Sequence, residues 1–461
     1  MSTPFRVDNP ATGELAFEVP TLDAGDLEEV LDRAARAQRQ WETTTIPVRI
    51  SAVERFIEEF KREGEAIARE ITLQMGKPLE QARGEIGGVV QRSRHMCRIA
   101  EEALAPEIID GGDGIHRQIT RVPAGIVLDI AAWNYPLLVA VNAVVPAVLA
   151  GNAVLIKHSP RTPLCANRFA DAFQAAGVPE GLVQALHVDH ATCAHVIQDP
   201  RVGAISFTGS VGGGREVLLE AARHRFIDVG LELGGKDPAY VAQDADLEFA
   251  IANVMEGALY NAGQSCCAVE RAYVHRSLHD RFVEGAIDAL AAWTPGDPMA
   301  AGTTLGPMAL PGAPAFLASQ IADARSRGAE VRAGGEALDG PGRFFAPTLL
   351  TNVDHSMRVM TEESFGPLLG IMAVEDDAEA VRLMNDSPFG LTASIWTDDQ
   401  ERALAIGHQL VTGTVFQNRC DALDPSLPWA GARDSGRGAT LSRHGFDTFT
   451  RFKSFHLRDL G

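Results

Sequence analysis

The chain has 461 residues, 46% of them apolar, enough for a large core and two or three domains. Its formal net charge of −20 repels phosphate backbones, so no nucleic-acid partner is expected. The six cysteines (Cys97, Cys165, Cys193, Cys266, Cys267 and Cys420) form no Cys-x-x-Cys pair and no cluster of zinc spacing, so the reading is no metal and a reducing, cytoplasmic setting.

The N-terminus carries no signal-peptide pattern. Val7 to Gly13 reads as a turn between two short strands. A helix is predicted over Asp26 to Trp41, with Asp26 and Glu29 spaced as a capping box and Leu27, Val30, Leu31, Ala34 and Trp41 on one face. Ser51 and Glu54 repeat that signature. The stripe Val53, Phe56, Ile57, Phe60, Ile67 and Ile71 ends at Gly76-Lys77-Pro78, and a third helix covers Leu79 to Leu104. From Gly125 the pattern alternates. Strands at Gly125–Ile130, Ala153–Ile156, Leu182–Leu186, Val202–Phe207 and Phe226–Leu231 are separated by four helices, which implies a buried parallel sheet wrapped by helices. The uncharged run from Ala131 to Ile156 has a membrane-like hydropathy. Its asparagines, its prolines and the Gly151-Asn152 turn make it a helix, a turn and a strand instead, and no membrane partner is expected. A second alternating unit runs from Ala239 to about Asn418. The tail carries Phe446, Phe449, Phe452 and Phe455, which need a surface to cover them.

Two segments carry chemistry. Cys266 lies in Asn261-Ala-Gly-Gln264-Ser-Cys266-Cys267, and Glu232 lies upstream in Leu231-Glu-Leu-Gly-Gly-Lys236. A thiol and a carboxylate in glycine-containing turns suit covalent catalysis with proton transfer. Read singly, they are equally a buried small side chain and a surface charge. No Gly-x-Gly-x-x-Gly follows a strand. Phe207-Thr-Gly209-Ser210-Val-Gly-Gly-Gly214 leaves a strand and opens a helix, where Gly209, Ser210 and Gly214 can face a phosphate or merely make a flexible turn.

Together with Ala131-Ala-Trp133-Asn134-Tyr135-Pro136, Gly151 to Lys157 and Glu362-Glu363-Ser-Phe365-Gly366-Pro367, these segments resemble the aldehyde dehydrogenase superfamily over essentially the whole chain. The resemblance implies an α/β fold: a Rossmann-like cofactor domain over 1–110 and 125–233, a catalytic domain over 234–422, and a small β bridging element over 111–124 and 440–461 that builds a homodimer or homotetramer. It implies oxidation of a small-molecule aldehyde to the carboxylic acid with NAD or NADP. Cys266 is then the nucleophile, with Cys267 as rival. Asn134 and the Cys266 N–H would hold the oxyanion, and Glu232 would activate the hydrolytic water. Lys157 and Glu363 would hold the two riboses, with Phe365 beside the nicotinamide and Trp133 among the cofactor-binding residues. Coenzyme A-acylating or esterase chemistry on the same thiol, and a catalytically silent homologue, are the alternatives.

Two departures from the family pattern matter. Pro160 stands where a ribose-binding glutamate is frequent, so Lys157, His158 and Arg161 are expected to make NADP at least NAD's equal. Asn142 stands where arginine suits substrates with a remote carboxylate, so an aldehyde acid is not favoured. The loop from Arg419 to Trp429, with Asp421 and Asp424, resembles the family's substrate-anchoring loop, and its carboxylates would suit an amino or hydroxylated aldehyde.

Overall fold

A computed structural model describes residues 3–110 and 114–458. Two β-sheets dominate it. The first is six-stranded, in the order Gly436–Arg437, Asp228–Glu232, Val202–Thr208, Ile126–Ala131, Ala153–His158, Val183–Ala185. All neighbours are parallel except the short Gly436–Arg437 edge. Its central strands Ile126–Ala131 and Ala153–His158 are buried at every position, Asp129, Lys157 and His158 included, as strands covered on both faces are. The helix Pro136–Ala150 between them begins on a proline and ends at Gly151, whose φ of 98° is left-handed. It is buried on nearly every side, which accounts for its membrane-like composition. Among the described residues no helix is long and apolar enough to cross a membrane.

The second sheet has seven strands: Glu330–Ala333, Thr348–Thr351, Leu368–Val374, Val269–His275, Asp237–Val241, Thr392–Trp396 and Thr414–Gln417. Only the first pair is antiparallel. Separate apolar clusters cover its two faces. A third, three-stranded sheet joins Thr450–Arg458 to Ile115–Pro123 and Glu107–Ile109. Residues 111–113 and 459–461 of the expected bridging element lie outside the described residues. Of the tail aromatics, Phe446 and Phe449 pack into the first core, while Phe452 and Phe455, with Leu457, stand exposed.

Three local differences from the sequence pattern have simple causes. The first helix starts at Ala24, not Asp26, because the Asp23 carboxylate accepts the Gly25 and Asp26 N–H groups. The expected Ser51/Glu54 start lies inside the helix Ile46–Arg62, whose proline sits in its first turn. The following stripe is two helices, Ile46–Arg62 and Gly64–Met75, which break where Glu63 leaves helical geometry at φ −89°, ψ 1°.

Candidate active site

Glu232 and Thr208 end adjacent parallel strands of the first sheet, and Trp133 and Asn134 follow a third. Cys266, Glu363 and Phe365 sit just before two neighbouring strands of the second sheet. The site therefore lies where the carboxyl edge of one sheet meets the amino edge of the other, in keeping with the strand-end rule for ligands.

Two cavities open there. A cleft of about 250 Å³ is lined by Trp133, Asn134, Gly209, Ser210, Glu363 and Phe365, among others. A cavity of about 480 Å³ lies between the helices Leu79–Ala103 and Pro136–Ala150 and the loop Arg419–Leu423. Cys266, Glu232 and Trp429 line both.

The turn carrying Cys266 is held from several sides. Asn261 and Ala262 both have φ 54°, and Gly263 has φ 68°. A Cβ on Gly263 would strike the Gly366 carbonyl. The Asn261 amide donates to the carbonyls of Asn134 and Gln264, each at 3.0 Å. The Gln264 side chain accepts from the Ala309 N–H at 2.8 Å. The strained backbone is thus fixed by its neighbours. The Cys266 N–H makes no hydrogen bond among the described residues. Cys267, by contrast, is buried with its sulfur 2.9 Å from Asp421 Oδ1. Its thiol is pushed well above the ordinary range by its contact with Cys266 and by burial.

Glu232 is half-buried. It accepts from the Thr440 hydroxyl and, at 3.5 Å, from Thr208. Burial raises its pKa above the ordinary glutamate value, against the hydrogen bonds and the Arg92 charge. Asn134 is buried but does not cap the helix after it. Tyr135 takes the cap position, and the Asn134 side chain makes no hydrogen bond among the described residues.

In the smaller cleft the Trp133 and Phe365 rings meet edge to face at 5.4 Å. Glu363 accepts the Gly235 N–H at 3.0 Å, and a Cβ on Gly234 would collide with its carboxylate. Burial and the Glu270 charge push the Glu363 pKa up to about 8. Ser210 caps the helix Val211–His224 by accepting from Gly213 at 3.1 Å. Gly214 lies outside the cleft lining; a Cβ there would come within 2.5 Å of Leu233, so its smallness serves helix packing. Lys157, buried near the end of its strand, also lies outside that lining and makes no ion pair among the described residues.

The two other cations expected near a cofactor phosphate are engaged elsewhere. Arg161 pairs with Asp8 and donates to the Gln74 carbonyl. His158 is buried, bonded to the Pro136 carbonyl at 2.9 Å, and burial lowers its pKa to about 4, so it is neutral. Pro160 is exposed. Asp424, half of the expected carboxylate pair, is exposed and bonded to Ser426, while Asp421 is taken up by Ser265 and Cys267.

Sequence reasoning missed three supports. Glu270 forms a buried ion pair with Lys236 at 2.5 Å and accepts from the Ser364 and Phe365 N–H groups, each at 2.8 Å. It thereby fixes the segment that carries Glu363. Its signal was a pair of charges, Glu270-Arg271, inside an otherwise apolar strand. Lys77 and Glu85 form a second buried pair, with the lysine 3.8 Å from the Tyr135 ring centroid and Glu85 accepting the Leu137 N–H at 3.0 Å. Arg92 enters the larger cavity from the helix Leu79–Ala103. Among the described residues, no cluster of His, Cys, Asp or Glu could hold a metal.

The profile of the aldehyde dehydrogenase family matches residues 1–455. An aldehyde dehydrogenase of Paenarthrobacter nicotinovorans is 36% identical over 452 residues, spanning 97% of this chain and 98% of its own. A succinate-semialdehyde dehydrogenase [NADP(+)] of Deinococcus radiodurans is 36% identical over 450 residues, 98% of this chain and 94% of its own. The crystal structure of succinic semialdehyde dehydrogenase from Streptococcus pyogenes with NADP+ superposes with a TM-score of 0.95 at 29% identity, covering 98% of this chain and 100% of that one. The chain belongs to the aldehyde dehydrogenase family and is an enzyme of that class.

Proposed function

We propose that the protein oxidises an aldehyde to the carboxylic acid with NAD(P) through a thioester on Cys266. The observation that carries this reading is the meeting of two cavities at Cys266 and Glu232. One is shaped for a cofactor ring and the other for a substrate. The smaller cleft fits a nicotinamide nucleotide: two aromatic rings, a half-buried carboxylate, and glycines where any Cβ would collide. Ser210 and the helix start behind it suit the pyrophosphate, and Lys157 and Glu363 suit the ribose hydroxyls. The bound cofactor supplies the acceptor for the hydride that leaves the carbonyl carbon.

Cys266 adds as thiolate to the aldehyde carbon, giving a thiohemiacetal. The Asn134 amide and the Cys266 N–H, both without other partners among the described residues, donate to the developing oxyanion. Oxidation leaves a thioester on Cys266. Glu232 then takes a proton from water, which attacks the acyl carbon and frees the acid and the thiol. The raised pKa of Glu232 suits a base that must later give its proton back. Its carboxylate, lining both cavities together with Cys266, favours hydrolysis over acyl transfer to coenzyme A. NADP is read as at least the equal of NAD because Pro160 presents no carboxylate to a 2′-phosphate. Of the three cations expected there, only Lys157 remains free for it. Homo-oligomer formation through the exposed Phe452, Phe455 and Leu457 strand completes the reading. Reduced-cofactor absorbance with an aldehyde panel, for wild type and Cys266→Ala, tests the whole. Cofactor reduction that survives the substitution refutes it. Catalytic efficiency tenfold or more in favour of NAD (about 1.4 kcal/mol) refutes the cofactor part.

A further inference from the structure

The substrate cavity contains a buried cation without a counter-ion. Arg92 is 9% exposed and lines the larger cavity. Its Nη1 donates to the Leu138 carbonyl at 2.8 Å and to Asn142 Oδ1 at 3.0 Å. Those two bonds use both Nη1 protons and fix the guanidinium plane. The Nε–H and the two Nη2 protons make no hydrogen bond, and Arg92 forms no ion pair, among the described residues. Neither nitrogen is among the fully buried polar atoms that lack a partner, and the residue lines the cavity. A guanidinium is always charged and is costly to bury alone. The edge left open, Nε with Nη2, is the fork that matches a carboxylate with two parallel hydrogen bonds.

The other charged groups of the cavity are accounted for. Glu85 is neutralised by Lys77. Asp421 accepts from Ser265 and Cys267, and Glu232 accepts from Thr440 and Thr208. Glu256 and Arg419 stand exposed at the rim. Glu232 is the nearest rival for Arg92 as an electrostatic partner, but it makes no ion pair with it among the described residues.

We propose that Arg92 holds the far carboxylate of the substrate, which is therefore a short aldehyde bearing a terminal carboxylate. This reverses the expectation drawn from Asn142. Asn142 lacks a charge of its own but orients a charge brought by a different helix. The inference rests on the reaction proposed above and adds its substrate class; Arg92 is a specificity residue that touches no reacting atom.

The test compares 4-oxobutanoate and 5-oxopentanoate with butanal and pentanal, in wild type, Arg92→Gln and Arg92→Lys. Wild type is expected to prefer a carboxylate member at least tenfold in kcat/KM. In Arg92→Gln the carboxylate-to-alkanal ratio is expected to fall roughly 10- to 100-fold, the range of a charge-assisted hydrogen-bonded pair. The loss should fall in KM, with partial recovery in Arg92→Lys. An unchanged ratio overturns the proposal, as does a fall shared equally by both substrate types with a shifted pH profile, which would mark Arg92 as a partner of Glu232. A second readout needs no turnover. Succinate and glutarate are expected to slow alkylation of Cys266 by iodoacetamide in wild type and to lose that protection in Arg92→Gln. If no aldehyde is oxidised while protection holds, the reaction proposed above fails and the carboxylate site stands; if protection is absent, the site fails.

Discussion

Replacing Glu270 by glutamine separates the ion pair beneath the cofactor cleft from everything that touches a ligand. Glu270 compensates the buried Lys236 ammonium and accepts two backbone N–H groups from Ser364 and Phe365. Phe365 itself sits at φ 52°, a conformation that holds only where neighbours impose it. Leaving one member of a buried pair uncompensated costs about 3–5 kcal/mol, a large part of a typical total stability of roughly 5–15 kcal/mol. Removing both charges, as Lys236→Met with Glu270→Leu, relieves the stranded ammonium. It still orphans the two amides, at about 1–3 kcal/mol each. Urea denaturation should therefore show both variants losing stability, Glu270→Gln by about 3–5 kcal/mol and the double variant by about 2–6 kcal/mol. Because Glu363 hangs on this segment, the KM for the cofactor should rise in both variants more than the KM for the aldehyde. Glu270→Gln within about 0.5 kcal/mol of wild type, or a double variant as stable as wild type, refutes the reasoning.

Cys266→Ala should lose roughly 10³-fold or more in kcat, while Cys267→Ala keeps turnover, since of the two cysteines Cys266 alone lines both cavities; steady-state assays of the pair decide it. Burial holds the Glu232 pKa above its ordinary value, and the base works only when ionised. Turnover should thus fall as pH drops through that raised value, and Glu232→Gln should abolish this limb and slow the enzyme by roughly 10²- to 10⁴-fold. Phe455→Asp combined with Leu457→Asp, on one exposed face of the last strand, should shift sedimentation toward smaller species without changing the far-UV circular dichroism; an unchanged sedimentation profile would place the interface elsewhere.

Much of this organisation was legible in the residues. Strands buried on both faces announce themselves as unbroken apolar runs, as Ala153–Ile156 does, and the helix between Pro136 and Gly151 is bracketed by its own punctuation. The motifs around Cys266, Glu232, Asn134 and Glu363 marked positions that the fold brings to one place. What stayed hidden depends on contacts between distant segments. Arg92 acquires its meaning only because Asn142 and the Leu138 carbonyl, on another helix, orient it toward the cavity. Arg161 looked free for a phosphate until the fold carried Asp8 beside it. His158 looked like a cation until burial made it neutral. Gly214 looked like part of a phosphate cradle, yet its space is taken by Leu233. Local spacing reports which residues share an element; it does not report which partner has already claimed a side chain.

Trapping the acyl group is the most direct measurement. Glu232→Gln mixed with an aldehyde substrate and oxidised cofactor should release about one equivalent of reduced cofactor in a rapid burst, then stall. Intact-mass and peptide analysis of the stalled protein should find the acyl group on Cys266. Reduced cofactor formed with no adduct, or an adduct on Cys267, would contradict the account.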